Sequence, residues 1–372
     1  MRVALDARLL AYQSAGTATY IRGLLHGLDE LGAGPEVVVL ASRKDSNRSA
    51  WVSNPVRRLW TPCHHRWERW SLGLELLRDR FDVLHSPDFI PPARLGRRWA
   101  RVATVHDLAF LRYPELLTTE SRRYYGQIGR AVDEAERIIA VSEATRRDLL
   151  ELVSAAAAPR IAVIPEGVEP AFRRLDRDIA TRQVSEAFGL AGPFFLFVGT
   201  REPRKNLARL VRAFGQFWAQ AGQPEVTLAI AGSRGWLDDD VEQAADALGQ
   251  RCRLLDRVEQ PDLVALYNAA VALVFVSLYE GFGLPALEAM ACGCPVLASN
   301  TSSLPELLGD SGFLVDPLDE DAIAAALTLI WCDPELRAGL SDRGHARAGQ
   351  FTWQTVGRQT AEVYRQAVAC AS

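Results

Sequence analysis

Short apolar runs alternate along this chain with longer stretches in which apolar residues recur every three or four positions. The first pattern is that of buried strands, the second that of helices lying on a sheet. In the first half, strands are predicted at Arg2–Asp6, Glu36–Ala41, Asp82–His85, Arg101–His106, Arg137–Val141 and Arg160–Ile164. Helices are predicted at Tyr20–Leu31, Arg122–Glu136 and Glu143–Leu152, the last with Ser142 as N-cap. In the second half, strands are predicted at Phe194–Gly199, Val226–Ala231, Arg253–Leu255, Val271–Val276, Pro295–Ser299 and Gly312–Val315. The helices between and after them are Leu207–Trp218, Asp238–Gly249, Asp262–Ala270, Leu304–Leu308, Glu320–Trp331, Pro334–Ala348 and Trp353–Val368. The alternation stops once, in the polar stretch 166–193, which is the candidate linker. Each half therefore reads as a doubly wound α/β domain around a buried parallel sheet. The expected division is 1–170, 171–352 and a last helix in 353–372. Ligands of such sheets bind outside the carboxyl ends of the strands, and the crevice between two such domains is the expected site.

One stretch concentrates polar chemistry at such a strand end. Ser277 to Pro295 reads S-L-Y-E-G-F-G-L-P-A-L-E-A-M-A-C-G-C-P. Gly281 and Gly283 break the strand, Pro285 suits the first turn of a helix, and Ala286–Ala291 are good helix formers. A strand, glycine turn and helix in series aim free amides and the positive helix end at one point, where phosphate fits. Glu280 and Glu288 flank that point. A phosphate cradle between two carboxylates suits a ligand with a diphosphate in its middle and hydroxyls at both ends, such as a sugar nucleotide. Arg204 and Lys205 follow an earlier strand of the same half, so a parallel sheet puts them on the same rim. They would neutralise a diphosphate, although an Arg-Lys pair is also an ordinary solvated surface.

Composition narrows the class. The 372 residues, 48% hydrophobic and 24% charged, are those of a globular chain long enough for two domains. Apolar runs stop well short of the ~20 residues of a membrane span. The sequence opens directly on strand-like residues, so no secretory signal is expected. Six scattered cysteines have neither zinc-site nor disulfide-framework spacing, and a reducing cytoplasm fits them. Residues 1–170 hold 24 basic and 21 acidic residues, and 171–372 hold 18 and 25, so neither half is a nucleic-acid-binding domain by charge. The basic surplus lies in 57–101. Within 57–70, Trp60, Trp67 and Trp70 alternate with Arg57, Arg58, Arg66 and Arg69. Such a segment either lies on anionic lipid or an acceptor, or turns its tryptophans into the core.

Further candidates are single residues. His106-Asp107 ends a strand, which places His106 at the ligand edge or in a structural role. Gly16, after the first strand, either lets backbone approach a ligand or belongs to an ordinary βα turn. No G-x-S-x-G, Walker loop or H-E-x-x-H is present, and no dinucleotide fingerprint beyond one glycine. The aspartate pairs Asp176/Asp178, Asp238/Asp240 and Asp319/Asp321 fall at helix starts or in the linker, where acids oppose the helix dipole, so no metal site is expected.

These residues resemble the retaining glycosyltransferases of family four, whose two Rossmann-like domains define the GT-B fold. The resemblance rests on an E-x7-E motif, here Glu280 to Glu288 in E-G-F-G-L-P-A-L-E-A-M-A-C-G-C-P-V. F-V-G-T-R-E-P-R-K-N-L-A-R-L (197–210), A-G-S-R-G-W (231–236), L-Y-N-A-A (266–270), H-D-L-A-F (106–110) and S-E-A-T-R-R-D-L (142–149) support it. It implies roles residue by residue. Glu280, with Gly281 and the amides of Phe282, Gly283 and Leu284, would hold the donor sugar and distal phosphate. Arg204 and Lys205 would bind the diphosphate, Glu288 the ribose hydroxyls, and backbone near Gly16 the diphosphate from the first domain. His106 would sit near the sugar and acceptor, and the last helix would pack back on the first domain. Many relatives carry Arg directly after the strand-ending glycine; Thr200 stands there instead, and Arg201 follows.

The resemblance implies transfer of a hexose with retention and without metal or other cofactor. The G-x-x-G-W at 232–236 is similar to a mannosyltransferase-rich subgroup, which favours GDP-mannose over UDP-sugars. The partners expected are this nucleotide sugar and a glycan or lipid-linked acceptor in polysaccharide or glycolipid biosynthesis, in the cytoplasm, with peripheral membrane contact through 57–70. The alternatives are a UDP-sugar-dependent glucosyl, galactosyl or N-acetylglucosaminyl transferase, a sugar-nucleotide epimerase and a non-catalytic nucleotide-sugar-binding subunit. A dehydrogenase lacks its glycine fingerprint.

Overall fold

The computed structural model describes residues 1–11, 16–44, 54–65, 67–88, 90–93, 95, 99–116, 124–235 and 239–371. The chain divides into two compact units, Met1–Gly167 with Thr352–Ser372, and Val168–Phe351. Both are α/β, and each is built on one parallel sheet.

In the first unit the strands are β1 (Arg2–Asp6), β2 (Glu36–Ser42), β3 (Val56–Leu59), β4 (Val83–Ser86), β5 (Ala100–Val105), β6 (Arg137–Ala140) and β7 (Ile161–Val163). Their order across the sheet is β3-β2-β1-β4-β5-β6-β7. Val, Leu and Ala make up most of β1, β4 and β5, and these strands are almost wholly buried. In the second unit β8 (Phe194–Val198), β9 (Thr227–Ala231), β10 (Cys252–Leu255), β11 (Ala272–Phe275), β12 (Val296–Ser299) and β13 (Phe313–Val315) lie in the order β10-β9-β8-β11-β12-β13. In each sheet the winding reverses once, between β1 and β4 and between β8 and β11. At such a reversal the loops leaving the two strand ends diverge to opposite faces and leave a crevice.

Three sequence expectations are corrected. The stretch 166–193 is not an irregular linker: it contains the helix Arg177–Phe188 and belongs, from Val168 on, to the second unit. Asp176 caps this helix by accepting from the amides of Asp178 and Ile179, and Gly189 ends it in a left-handed conformation. Only Ala180 and Val184 of the helix are buried, so there was no apolar stripe to read. Strand β3 went unread because it is an exposed edge strand carrying Arg57 and Arg58. The helix expected at 122–136 is Ile128–Glu134, and residues 122 and 123 lie outside the described residues. Ser142 does cap its helix, accepting from the Thr145 amide at 3.0 Å.

The last helix, Trp353–Ala371, is part of the first unit and packs on the helix Gly16–Asp29. Glycines set how closely the two approach. A Cβ on Gly27 would lie 1.9 Å from the Trp353 carbonyl oxygen, and one on Gly357 would lie 2.4 Å from the Gly27 carbonyl carbon. A buried polar chain ties the same helix to the sheet. Tyr364 Oη lies 2.7 Å from His85 Nδ1, His85 Nε2 lies 2.7 Å from Thr104 Oγ1, and Thr104 Oγ1 lies 3.0 Å from Tyr20 Oη. Burial, with His106 nearby, pushes His85 down to about 3, so its ring stays neutral at ordinary pH. Gly27→Ala should therefore destabilise the first unit by about 1–3 kcal/mol. Gly129→Ala, whose new methyl would meet nothing within 4 Å, should be neutral or stabilising by up to about 1 kcal/mol. Urea unfolding of the two variants checks both signs.

Candidate functional site

The second unit's reversal point carries the charged residues singled out in the sequence. From β8 the chain runs through Gly199-Thr200-Arg201 into a short 3-10 turn, Pro203–Lys205, that presents Arg204 and Lys205. From β11 it runs through Ser277–Glu280 to the Gly281-Phe282-Gly283 turn and the helix Leu284–Ala291. The two loops meet. Lys205 Nζ lies 2.6 Å from Glu280 Oε1, and Arg204 Nη1 lies 3.1 Å from Glu280 Oε2. Arg204 also donates to the Tyr279 carbonyl at 3.1 Å and pairs with Glu202 at 2.7 Å, while the Leu278 amide donates to the Arg204 carbonyl at 2.8 Å. Burial opposes charge on Glu280, but the Lys205 ammonium and then the Arg204 guanidinium more than offset it and hold the carboxyl below its ordinary range. Glu280 is thus an ionised acceptor in a site largely closed to water.

Backbone geometry completes the turn. Gly283 caps the helix with φ 110°, where a side chain is strained, and a Cβ there would also press on Leu304 at 2.8 Å. Pro285 has no N–H, and the amides of Ala286 and Leu287 donate to the Gly283 carbonyl at 3.0 and 3.1 Å, so it is the Leu284 amide and those of Phe282 and Gly283 in the turn before it that are left for an anion. Sequence reasoning missed what braces this turn. Ser302 Oγ accepts from the Glu280 amide at 2.9 Å. Ser303 Oγ donates to the carbonyls of Glu280 and Phe282 at 3.0 and 2.8 Å, and Thr301 Oγ1 donates to Leu278 at 3.2 Å. The signal was the T-S-S run just past β12, beside β11 in the sheet. Asn206 was missed too. Its backbone is left-handed (φ 61°), which asparagine tolerates, and its Nδ2 bridges the carbonyls of Val276 and Pro317 at 3.0 and 2.7 Å.

Glu288 is half-buried on its helix and accepts from Tyr267 Oη at 2.9 Å, a partner the sequence did not announce. Thr200 is half-buried. Arg201 is buried, and its amide donates to the Ser233 carbonyl at 3.1 Å. The glycines of 232–235 answer to this packing: a Cβ on Gly232 would lie 1.9 Å from the Gly199 oxygen, and one on Gly235 would lie 2.2 Å from the Arg201 oxygen. Trp236 and Asp238 lie outside the described residues. Asp176 and Asp319 act as helix N-caps.

Gly16 and His106 belong to the first unit. Gly16 is not in a turn, as expected, but is the first residue of its helix; it is exposed, with open space where a Cβ would be. Ser14 and Ala15, just before it, lie outside the described residues. His106 follows the end of β5. Its Nδ1 lies 2.9 Å from Glu166 Oε1, its ring stands edge-on to Tyr20, and its buried Nε2 has no hydrogen-bond partner. Burial works against the imidazolium, but Glu166 outweighs it and raises His106 above the ordinary histidine value.

This arrangement matches known proteins over both units. Residues 14–172 match the family model described as Glycosyltransferase Family 4, and residues 179–347 match that described as Glycosyl transferases group 1. The chain is 34% identical over 354 residues to the O-antigen chain mannosyltransferase B of Escherichia coli, covering 92% of this chain and 90% of that one. It superposes on sucrose-phosphate synthase from Thermosynechococcus elongatus with a TM-score of 0.79 at 23% identity, covering 99% of each chain. Anabaena HepE in complex with UDP and glucose superposes with a TM-score of 0.76 at 19% identity, covering 97% of this chain and 98% of that one. The chain therefore belongs to the family-four glycosyltransferases, with the GT-B fold and a mannosyltransferase-like character. It is a hexosyltransferase.

The two ion pairs respond to pH in opposite directions. The Glu280 carboxyl is depressed, so its stabilisation is full above the ordinary carboxyl value of about 4.3 and is lost as pH falls through the lower folded value. His106 is raised, so its pairing with Glu166 is full below about 6.5 and is lost as pH rises through the higher folded value. Imidazole NMR should show His106 titrating above the ordinary histidine range, and Glu166→Gln should bring it down.

Proposed function

We propose that this hexosyltransferase moves mannose from GDP-mannose to a glycan or lipid-linked acceptor in cell-surface polysaccharide or glycolipid biosynthesis, with retention and without a metal ion. The observation that carries the chemistry is Glu280 held between Lys205 and Arg204 beside a helix N-terminus. Likeness to the O-antigen chain mannosyltransferase B supports the sugar.

Breaking a glycosyl phosphate builds negative charge on the departing diphosphate. Arg204 and Lys205 meet that charge with a planar fork and a point charge, and the oriented amides of Phe282 to Leu284 add fixed dipoles. Glu280 accepts hydroxyls of the transferred sugar, and its carboxylate opposes the burial and the Arg204 charge that lower Lys205 below its ordinary range. Because Glu280 is committed to these bonds, attack comes on the face the diphosphate leaves, and no lasting covalent intermediate forms on it. Glu288 takes the ribose hydroxyls, with Tyr267 holding its carboxylate. Backbone near Gly16 and Thr200 serves the diphosphate. His106 offers its unpaired Nε2 to a sugar or acceptor oxygen, with Glu166 fixing the ring.

The segment 57–70 supports peripheral contact with an anionic membrane surface, on the cytoplasmic face. Trp60, Trp67 and Trp70 are 72%, 55% and 54% exposed, so they do not face the core. Trp67, Trp70, Leu74 and Leu77 are exposed at spacings of three and four along and beside the helix Glu68–Glu75, while Leu72 and Leu76 point inward. Arg43 stacks on Trp60 at 3.3 Å, and Arg57 is exposed. Arg69 is not part of this surface: it pairs with Glu134 at 2.6 Å. Arg66 lies outside the described residues. Among the described residues no helix is long and apolar enough to cross a membrane.

A thermal-shift screen against GDP, UDP and their sugars should show the larger rise with GDP and GDP-mannose. A larger rise with UDP-sugars would move the donor to the alternative reading, and binding without turnover would make the chain a non-catalytic subunit. Glu280→Ala should lower kcat by about 10²–10³, the scale for losing one such group. Glu288→Ala should mainly raise donor KM; equal behaviour of the two variants would refute this division. Replacing Trp67, Trp70 and Leu74 by serine should weaken sedimentation with anionic vesicles while leaving nucleotide binding intact.

A further inference from the structure

The peptide between Phe282 and Gly283 needs something to hold it. Gly283 stands at φ 110°, and with no Cβ it lets that peptide rotate freely. A side chain could not restrain it, because a Cβ there would press on Leu304 at 2.8 Å. The same peptide carries the Gly283 amide, one of those left for an anion. A trans peptide is planar, so its C=O and N–H point opposite ways. Whatever fixes the Phe282 carbonyl therefore fixes the direction of the Gly283 amide.

One side chain does this. Ser303 Oγ donates to the Phe282 carbonyl at 2.8 Å and shares the bond with the Glu280 carbonyl at 3.0 Å. The two carbonyls on either side of Gly281 thus converge on one hydroxyl, and that hydroxyl belongs to a fully buried residue. Ser303 gives up an ordinary role to be there. It is the N-cap of the helix Leu304–Leu308, where a serine oxygen normally accepts from an amide of the first turn, yet its side chain makes no cap bond. Ser302 beside it departs from local preference as well. Its φ is 54°, in the left-handed region that serine seldom occupies, and its Oγ accepts from the Glu280 amide at 2.9 Å. Two adjacent serines forgo what their local backbone favours, and both hydroxyls go to residues 280–282. Departures of this kind gather where function needs a fixed geometry. Ser299 supplies the contrast. It ends β12 in regular extended backbone, is equally buried, and donates to the Ser277 carbonyl at 2.6 Å without touching the turn.

We propose that Ser303 is a positioning residue of the donor site: its hydroxyl, backed by Ser302, aims the Gly283 amide at the distal phosphate of the nucleoside diphosphate. Ser303 touches no substrate and acts only through the Phe282–Gly283 peptide. Without its hydroxyl two carbonyls lose their donor, and the peptide turns to find another, taking the amide with it. The proposal rests on the reading of a nucleotide-sugar donor and is independent of the base.

Calorimetric titration of the full chain with GMP and GDP, and with UMP and UDP, isolates the distal phosphate as the ratio of the two dissociation constants. In Ser303→Ala the preference for the diphosphate should fall about tenfold, the scale of one hydrogen bond to a charged group, with monophosphate affinity unchanged. Ser303→Cys keeps a weaker donor and should fall between alanine and wild type. It carries the test alone if the alanine variant does not fold. Ser299→Ala should lower the melting temperature as Ser303→Ala does, yet keep the wild-type preference. A hydroxyl that only stabilised the fold would lower melting in both variants and the preference in neither. The proposal is overturned if the wild type does not prefer the diphosphate, if the folded Ser303 variants keep the full preference, or if Ser299→Ala loses it equally. A wild-type chain that bound neither GDP nor UDP would overturn the donor site itself, a result distinct from the failure of Ser303 alone.

Discussion

The second unit depends on one buried ion pair, Lys205 with Glu280, and on Arg204 closing it from the other side. Taking these charges out of water is expensive, and their attraction offsets that only with good geometry and further hydrogen bonds. The loop after β8 and the loop after β11 are therefore held to each other, down to the backbone bond from Leu278 to Arg204. The T-S-S run after β12 braces the same turn from the far side. Charge, glycine geometry and hydroxyl bracing all serve one end: an ionised Glu280 and the glycine turn after it kept in a fixed relation.

The first unit has the same sheet reversal with opposite chemistry at its strand ends. The turn after β11 places the cations Arg204 and Lys205 beside a helix N-terminus. The β1/β4 pocket is walled by carboxylates, an unpaired buried serine and aliphatic side chains. One architecture thus carries two kinds of polar chemistry because the residues at strand ends are free to vary while the strands behind them must stay apolar. Close glycine contacts play a similar part in both units: Gly27 with Gly357 between helices, and Gly232 with Gly199 between loops, let backbones approach where any side chain would intrude.

Most of the fold was legible. Buried parallel strands are continuous apolar runs and amphipathic helices repeat every three to four residues, so twelve of the thirteen strands stood out at nearly their observed bounds. The failures share a cause. Strand β3 and the helix Arg177–Phe188 bury few side chains, and an element with no apolar face leaves no periodic trace. Strands β7 and β11 were each read one residue too long at both ends.

The sequence by itself determined the two-domain α/β class, the glycine turn, and the grouping of Glu280, Glu288, Arg204 and Lys205 near strand ends, because these follow from local pattern and the rule that parallel strands point their ends one way. Only the tertiary structure decided which groups touch. It gave Glu280 to Lys205 and Arg204, Glu288 to Tyr267, and His106 to Glu166, turned the tryptophans of 57–70 outward, and left Ser86 unpaired in a pocket. Those outcomes depend on side chains far apart in the chain meeting across sheet neighbours, and no local spacing encodes such distances.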